Sequence, residues 1–421
     1  MNLLARLSPP QRSWVLYDAG NSLFVTNIIT AIFPIYYAKV ASAGVDPATT
    51  SLRYSLTTTV ALAIAAVLGP LVGVWTDAGA SRARLLRSFV GFGAAATLLL
   101  TLVSTGDWLL GTVLFACATV GLNLSFVVYD SLLPHVASPA ESDRISSLGF
   151  ALGYFTGGVF LALSLALIMQ PAWFGLADAG TLPTRITFAA VALLWFGSCL
   201  PLARVAADLQ RPMLTGAARA GDLLRSLARA ARELPRHRNA FILLVAFLIY
   251  NDGIGTIIRM AAVYGTELGL PSSTLIGAIL MVQFVGIPCT LLFSALAGRI
   301  GTRNAVLLGV MIYGVIAWLG YRLETERDFW ILGLLVALVQ GGTQALSRSL
   351  FARLIPAERS GEFFGFFAVS EKFAGVLGPA VFAAVQWMTG SSRSSVLAIL
   401  TFFLIGGSLL LFVREPERAH A

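Results

Sequence analysis

Charge, lysine, histidine and cysteine are all scarce in this 421-residue chain. Charged residues make up 12% of it, against roughly 25% in a soluble domain, so a water-soluble globular fold is excluded. Only two lysines occur, Lys39 and Lys372, and neither closes a G-x-x-x-x-G-K phosphate loop, which removes direct ATP hydrolysis. Cys117, Cys199 and Cys289 stand singly in apolar stretches. Lacking paired or metal-ligand spacing, they read as small buried hydrophobes rather than a disulfide frame or a metal site. His135, His237 and His420 fall in expected loops or the tail and read as solvated. With H-E-x-x-H, G-x-S-x-G and clustered carboxylates missing too, an intramembrane enzyme has nothing to work with, and no cofactor is expected. The segment Met1–Pro10 meets proline too soon for a cleavable signal peptide.

Apolar residues are what the chain has in excess: 57% of it, with a mean hydropathy of +0.81. A helix needs about 20 such residues to cross ~30 Å of hydrocarbon. Twelve runs qualify, near residues 14–40, 52–76, 85–104, 108–130, 145–169, 184–203, 239–264, 273–297, 304–322, 329–350, 362–387 and 394–413. The expected fold is an all-α integral membrane protein of twelve transmembrane helices. Its formal net charge of +8 reports topology rather than an affinity for nucleic acid. Arg82, Arg84 and Arg87, Arg144, eight arginines between Arg204 and Arg238, Arg299 and Arg303, and Arg353 and Arg359 all fall on one side of the alternation, together with both termini. The positive-inside rule makes that side cytoplasmic. A bacterial inner membrane is the expected location.

The chain repeats itself. Ser131-Leu132 recurs at Ser349-Leu350, Pro139-Ala-Glu141 at Pro356-Ala-Glu358, and Gly149-Phe150 at Gly365-Phe366. Three matches in order, with nearly constant offset, point to two related six-helix bundles, 1–203 and 239–421, arranged as parallel repeats with a substrate site between them. Residues 204–238 join them. There Leu223, Leu227 and Leu234 oppose Arg225, Arg229, Arg232 and Arg236, an amphipathic pattern suited to an anionic inner leaflet or, equally, to a solvated linker that only fixes topology. The expected molecule is a monomer whose partners are membrane lipids and a small solute.

Polar side chains inside the apolar runs mark the expected pathway, because a charge at the centre of a membrane helix costs roughly 2.5–3.5 kcal/mol. Asp252, Thr256 and Arg259 share one helical face, next to Tyr250 and Asn251. Gln340, Gln344, Ser347 and Arg348 mark a second helix, and Tyr17, Asp18, Asn21 and Ser22 a third. Gln283 and Lys372 complete the expected solute-contacting set. For Gln283, Asn123 and the other glutamines, gluing helices together is the alternative. Asp252 and Glu371 are the proton-coupling candidates, since a buried carboxylate whose neighbours change can titrate in the working range. Gly149, Gly153 and Gly157 form two G-x-x-x-G steps for close packing.

Gly73-Val-Trp-Thr-Asp77-Ala-Gly79-Ala-Ser-Arg82-Ala-Arg84 resembles the loop signature of the major facilitator superfamily, with a partial copy at Gly298-Arg-Ile-Gly-Thr-Arg303. The resemblance implies a cytoplasmic latch using Asp77, Arg82 and Arg84. Asp130, Arg144 and Arg348, toward the same side, are assigned to that latch too. This copy lacks the usual basic residue directly after the aspartate. Trp14-Val-Leu-Tyr17-Asp18-Ala-Gly-Asn21-Ser22, Tyr250-Asn-Asp-Gly253, the stretch Gln340–Arg353 and Ser370-Glu-Lys-Phe373 resemble the branch related to fungal vacuole effluxers. What this implies is a secondary transporter that moves a small polar or zwitterionic solute, with amino acids the leading guess. The alternatives are a non-transporting receptor or scaffold, and efflux of drug-like compounds.

Overall fold

The computed structural model describes residues 6–176, 180–209, 220–373 and 377–415, and no strand occurs among them. Among the described residues, eleven helices are long and apolar enough to span a membrane. We number them in chain order with the linker helix included: α1 (Pro9–Ala41), α2 (Pro47–Asp77), α3 (Arg82–Leu99), α4 (Trp108–Ser131), α5 (Ser142–Met169), α6 (Leu182–Asp208), α7 (Ala220–Glu233), α8 (Arg238–Glu267), α9 (Ser272–Ile300), α10 (Thr302–Tyr321), α11 (Glu326–Leu354), α12 (Ser360–Phe373), α13 (Leu377–Thr389) and α14 (Ser392–Leu410). The run expected as one span at 362–387 is described as two shorter helices, α12 and α13. The helices begin where short polar side chains can satisfy free backbone N–H groups. Ser8 with Gln11, and Thr325 with Asp328, form capping boxes. Asp46, Ser81 and Ser391 cap α2, α3 and α14.

The molecule is turned outward as a lipid-dwelling protein must be. Leu52, Leu56, Val60, Ile64 and Val67 follow one stripe of α2 and are all exposed. In water such a stripe would be a large apolar patch, whereas against acyl chains it is the natural surface. The interior holds large aromatics instead, among them Trp14, Trp195, Tyr129 and Phe351, none more than 1% exposed.

Helices α1–α6 pack among themselves, as do α8–α14. The groups meet along two main seams, α2 against α12 and α5 against α9 and α11. Glycine permits the first: a Cβ on Gly73 would land on the Gly361 carbonyl, and one on Gly365 would lie 2.8 Å from Pro70 Cα. The linker helix α7 packs on α2, with Ala230 and the following Leu234 buried and Glu233 paired to Arg359 at 2.7 Å. In its described part, the apolar face expected for lipid is thus covered at least in part by protein.

Candidate functional site

The arginine-rich end of the two halves is joined through one buried cation. Arg348 lies six residues before the end of α11, roughly 9 Å along the axis, and is 5% exposed. Its Nη2 donates to Asp18 Oδ2 at 3.0 Å and to the Ser146 carbonyl at 3.2 Å. Nη1 reaches Asp130 Oδ1 at 3.3 Å and Tyr129 Oη at 3.5 Å, and Nε donates to Ser146 Oγ at 3.0 Å. Three rings flank the guanidinium, with centroids at 4.6 Å (Trp14), 4.8 Å (Phe150) and 5.4 Å (Tyr129). Every one of these partners belongs to the first half. A planar, permanently charged five-donor fork can satisfy that many acceptors at once, which lysine could not.

The glycines of α5 set this up. A Cβ on Gly149 would overlap the Asp18 carboxylate, one on Gly153 would overlap Ser22 Oγ, and one on Gly157 would lie 2.7 Å from Thr26 Oγ1. The G-x-x-x-G ladder therefore lets α1 approach closely and holds Asp18 at the seam.

Two further clusters close the same end. Asp143 accepts from Ser349 Oγ at 2.6 Å and Thr302 Oγ1 at 2.5 Å, and lies 3.4 Å from Arg353, which also pairs with Glu415 at 3.2 Å. Burial works against ionising Glu415, yet the Arg303 N–H, the Arg353 charge and the Thr302 N–H together hold its carboxyl below the ordinary glutamate value. On the other seam Asp77 accepts from the backbone N–H groups of Gly361 at 3.1 Å and Glu362 at 2.7 Å. It thus acts as a cap supplied by one half to a helix of the other. Arg82 bridges Asp77 at 3.3 Å and Ser360 Oγ at 3.4 Å.

The expected residues distribute unevenly. Asp77, Arg82, Asp130 and Arg348 lie in these clusters; Arg84 and Arg144 do not. Both guanidinium-bearing side chains are exposed. The reason is helical phase: Arg84 is turned about 200° from Arg82, and Arg144 about 100° from the inward Asp143. Asp18, expected to contact solute, is instead held by Arg348. Tyr17, Asn21 and Tyr250 are each fully buried inside their own half, bonded to Ser125 (2.8 Å), Trp195 (2.8 Å) and Ser347 (2.6 Å). His135 is no solvated loop residue: it is half-buried, with Nε2 at 3.3 Å from Ser360 Oγ. His237 is half-buried too, its ring edge-on to Phe363 at 4.9 Å, and His420 lies outside the described residues.

Higher between the halves the contacts are uncharged. Gln283 Nε2 donates to Thr26 Oγ1 at 3.2 Å, and Tyr154 and Gln340 are half-buried. Gln344 is half-buried. Asp252, about 21 Å along α8, is fully buried; its Oδ2 accepts from Gly378 N at 2.6 Å at the start of α13, while Oδ1 has no hydrogen-bond partner among the described residues. Thr256 donates to the Asp252 carbonyl at 2.7 Å, and Arg259 is exposed yet close enough to feel the Asp252 charge. Asn251 is buried, Glu371 is half-buried, and the Lys372 side chain lies outside the described residues. Ser146, Asp143, Ser349, Thr302 and Arg353 escaped the sequence reading. The one available signal was that Asp143 follows the repeated Pro-Ala-Glu motif by two residues.

Twin groups of membrane helices that meet through a polar seam are the architecture of the major facilitator fold, and solved structures similar to this chain share it. The human organic anion transporter MFSD10 superimposes with a TM-score of 0.72 at 14% identity, covering 96% of this chain and 99% of that one. The proton:xylose symporter XylE gives 0.72 at 11%, covering 97% and 96%. Within that class the chain belongs to the Atg22-like vacuole effluxer family, whose model matches residues 9–420. It is 32% identical to the MFS-type transporter YxiO of Bacillus subtilis over 98% of this chain and 96% of that protein. It is 26% identical to autophagy-related protein 22-2 of Aspergillus fumigatus over 66% of this chain and 50% of that protein. The chain is not an enzyme.

Proposed function

We propose that this transporter is gradient-driven and moves a small polar or zwitterionic solute, amino acids being the leading class, by rocking its halves (1–203 and 239–421) about a central site. The observation that carries this reading is the seam at the arginine-rich end. Its ion pairs, Arg348–Asp18, Arg348–Asp130 and Arg353–Asp143, all cross between the halves, so they break together when the halves part there and persist when they do not. By the positive-inside rule that end faces the cytoplasm, with both termini, in the inner membrane of a bacterium. The present state is then closed to the cytoplasm.

The solute site in this reading lies above the seam, where Thr26, Gln283, Tyr154, Gln340 and Gln344 offer amides and hydroxyls and Asp252 and Arg259 offer one charge of each sign. Asp252 and Glu371 remain the proton-coupling candidates. The test is Asp252→Asn in proteoliposomes. An amide oxygen still accepts from Gly378 N, so the fold is retained while the charge is lost; solute movement should cease. Wild-type rates in the variant would refute the role.

A further inference from the structure

Around Arg348 the first half forms a guanidinium receptor: among the described residues every side chain that contacts the cation comes from that half, while the second half adds the Ala345 carbonyl, which accepts from Ser146 Oγ at 2.7 Å. Trp14 and Asp18 come from α1, Tyr129 and Asp130 from α4, and Ser146 and Phe150 from α5. The walls are fixed without the arginine. Trp14 stacks on Tyr129 with centroids 4.4 Å apart and donates Nε1–H to the Tyr129 carbonyl at 3.1 Å, while Gly149 backs Asp18. A pocket of aromatic faces and carboxylates selects cations, by ring quadrupole and by charge-assisted hydrogen bonds.

We propose that this pocket is a binding site for the guanidinium or ammonium group of a cationic solute, with Arg348 as its internal occupant in the closed state. The inference rests on the alternating-access reading above. When the halves separate at the arginine-rich end, Arg348 leaves with α11, and Asp18 and Asp130 lose that cation inside a preformed aromatic box. A solute cation arriving from that side restores the charge balance and delays the return of Arg348. Occupancy therefore favours the state open to the arginine-rich side. That preference is what couples solute binding to the gate, because a ligand shifts an equilibrium only by its unequal affinity for the two states. A neutral analogue of the same shape lacks the charge and should gain little.

The experiment uses the full-length protein in proteoliposomes and compares L-arginine and agmatine with citrulline, whose urea group copies the guanidinium shape without its charge. The expected result is that arginine and agmatine inhibit or exchange against solute flux, with citrulline weaker by roughly tenfold or more, since a site built for a hydrogen-bonded charge rejects an analogue lacking it. In Arg348→Ala, millimolar guanidinium should raise the melting temperature saturably, by several degrees over equal urea. If that variant does not fold, the wild-type comparison decides alone. Leucine flux that is indifferent to arginine would overturn the receptor and leave the transporter reading standing. Arginine-specific stabilisation with no flux of any solute would do the reverse.

Discussion

Arg348 and Asp130 stand 218 residues apart and meet at 3.3 Å. That is the offset at which Ser131-Leu132 recurs as Ser349-Leu350, so the two charges stand at the same position relative to that repeated pair. Opposite charges thus pair between helices α4 and α11. Asp18 joins from α1 at 3.0 Å.

Breaking this pair from the cationic side should be the most damaging single change in the seam. Arg348→Gln leaves two buried carboxylates facing aromatic walls, a loss of roughly 3–5 kcal/mol where a buried pair loses one partner. Asp130→Asn should cost less, since Asp18 still neutralises the guanidinium. Reversible unfolding in mixed micelles ranks the two; equal losses would contradict the geometry.

Gly149→Ala should loosen the gate without touching any charge, because the added methyl displaces the Asp18 carboxylate from Arg348. Gly197→Ala is the matched control, with nothing within 4 Å of the new Cβ. The first variant should melt several degrees lower and the control should match wild type.

Asp77→Asn tests the cap that one half lends to the other. The carboxylate accepts from two N–H groups of α12, and losing a charged cap costs about 1 kcal/mol, at most ~2. Amide exchange at Gly361 and Glu362 should quicken roughly in proportion, while exchange in α8 stays unchanged.

Glu415 gives the arginine-rich end an acid limit. Its carboxyl sits below the ordinary value in the folded protein, so its stabilisation is present above the unfolded-state value and is lost as the pH falls through the lowered one. Melting temperature against pH should drop in that window, and Glu415→Gln should flatten the drop. A variant curve parallel to wild type would oppose this assignment.

What the sequence made legible was what local pattern can carry. Hydropathy located the spans, the G-x-x-x-G steps of α5 marked a close helix contact, and Asp77 stood out as the acid of a loop signature. Pairing between halves was not legible in the same way. Asp18 stands out in the sequence as a charge inside an apolar run, but nothing near it reveals a partner 330 residues away. The family resemblance assigns Arg84 to the latch and its side of the membrane assigns Arg144, yet the phase of their helices turns both outward. Arg353 reads in the sequence as one of the arginines that fix topology, and its pairing with Asp143 emerges only when α5 and α11 are brought together. Burial of His135 follows from the seam as well, since Ser360 belongs to the opposite half.

The most direct measurement is the distance between the halves at both ends, with paired spin labels at Arg84 and Asn304 on the arginine-rich end and at Asp107 and Glu324 on the other, compared in wild type and Arg348→Gln. All four positions are exposed. The account predicts one short distance at the arginine-rich end in wild type. In the variant a second, longer population should appear there, together with a shorter one at the far end. Unchanged distributions at both ends would contradict the claim that Arg348 holds the gate.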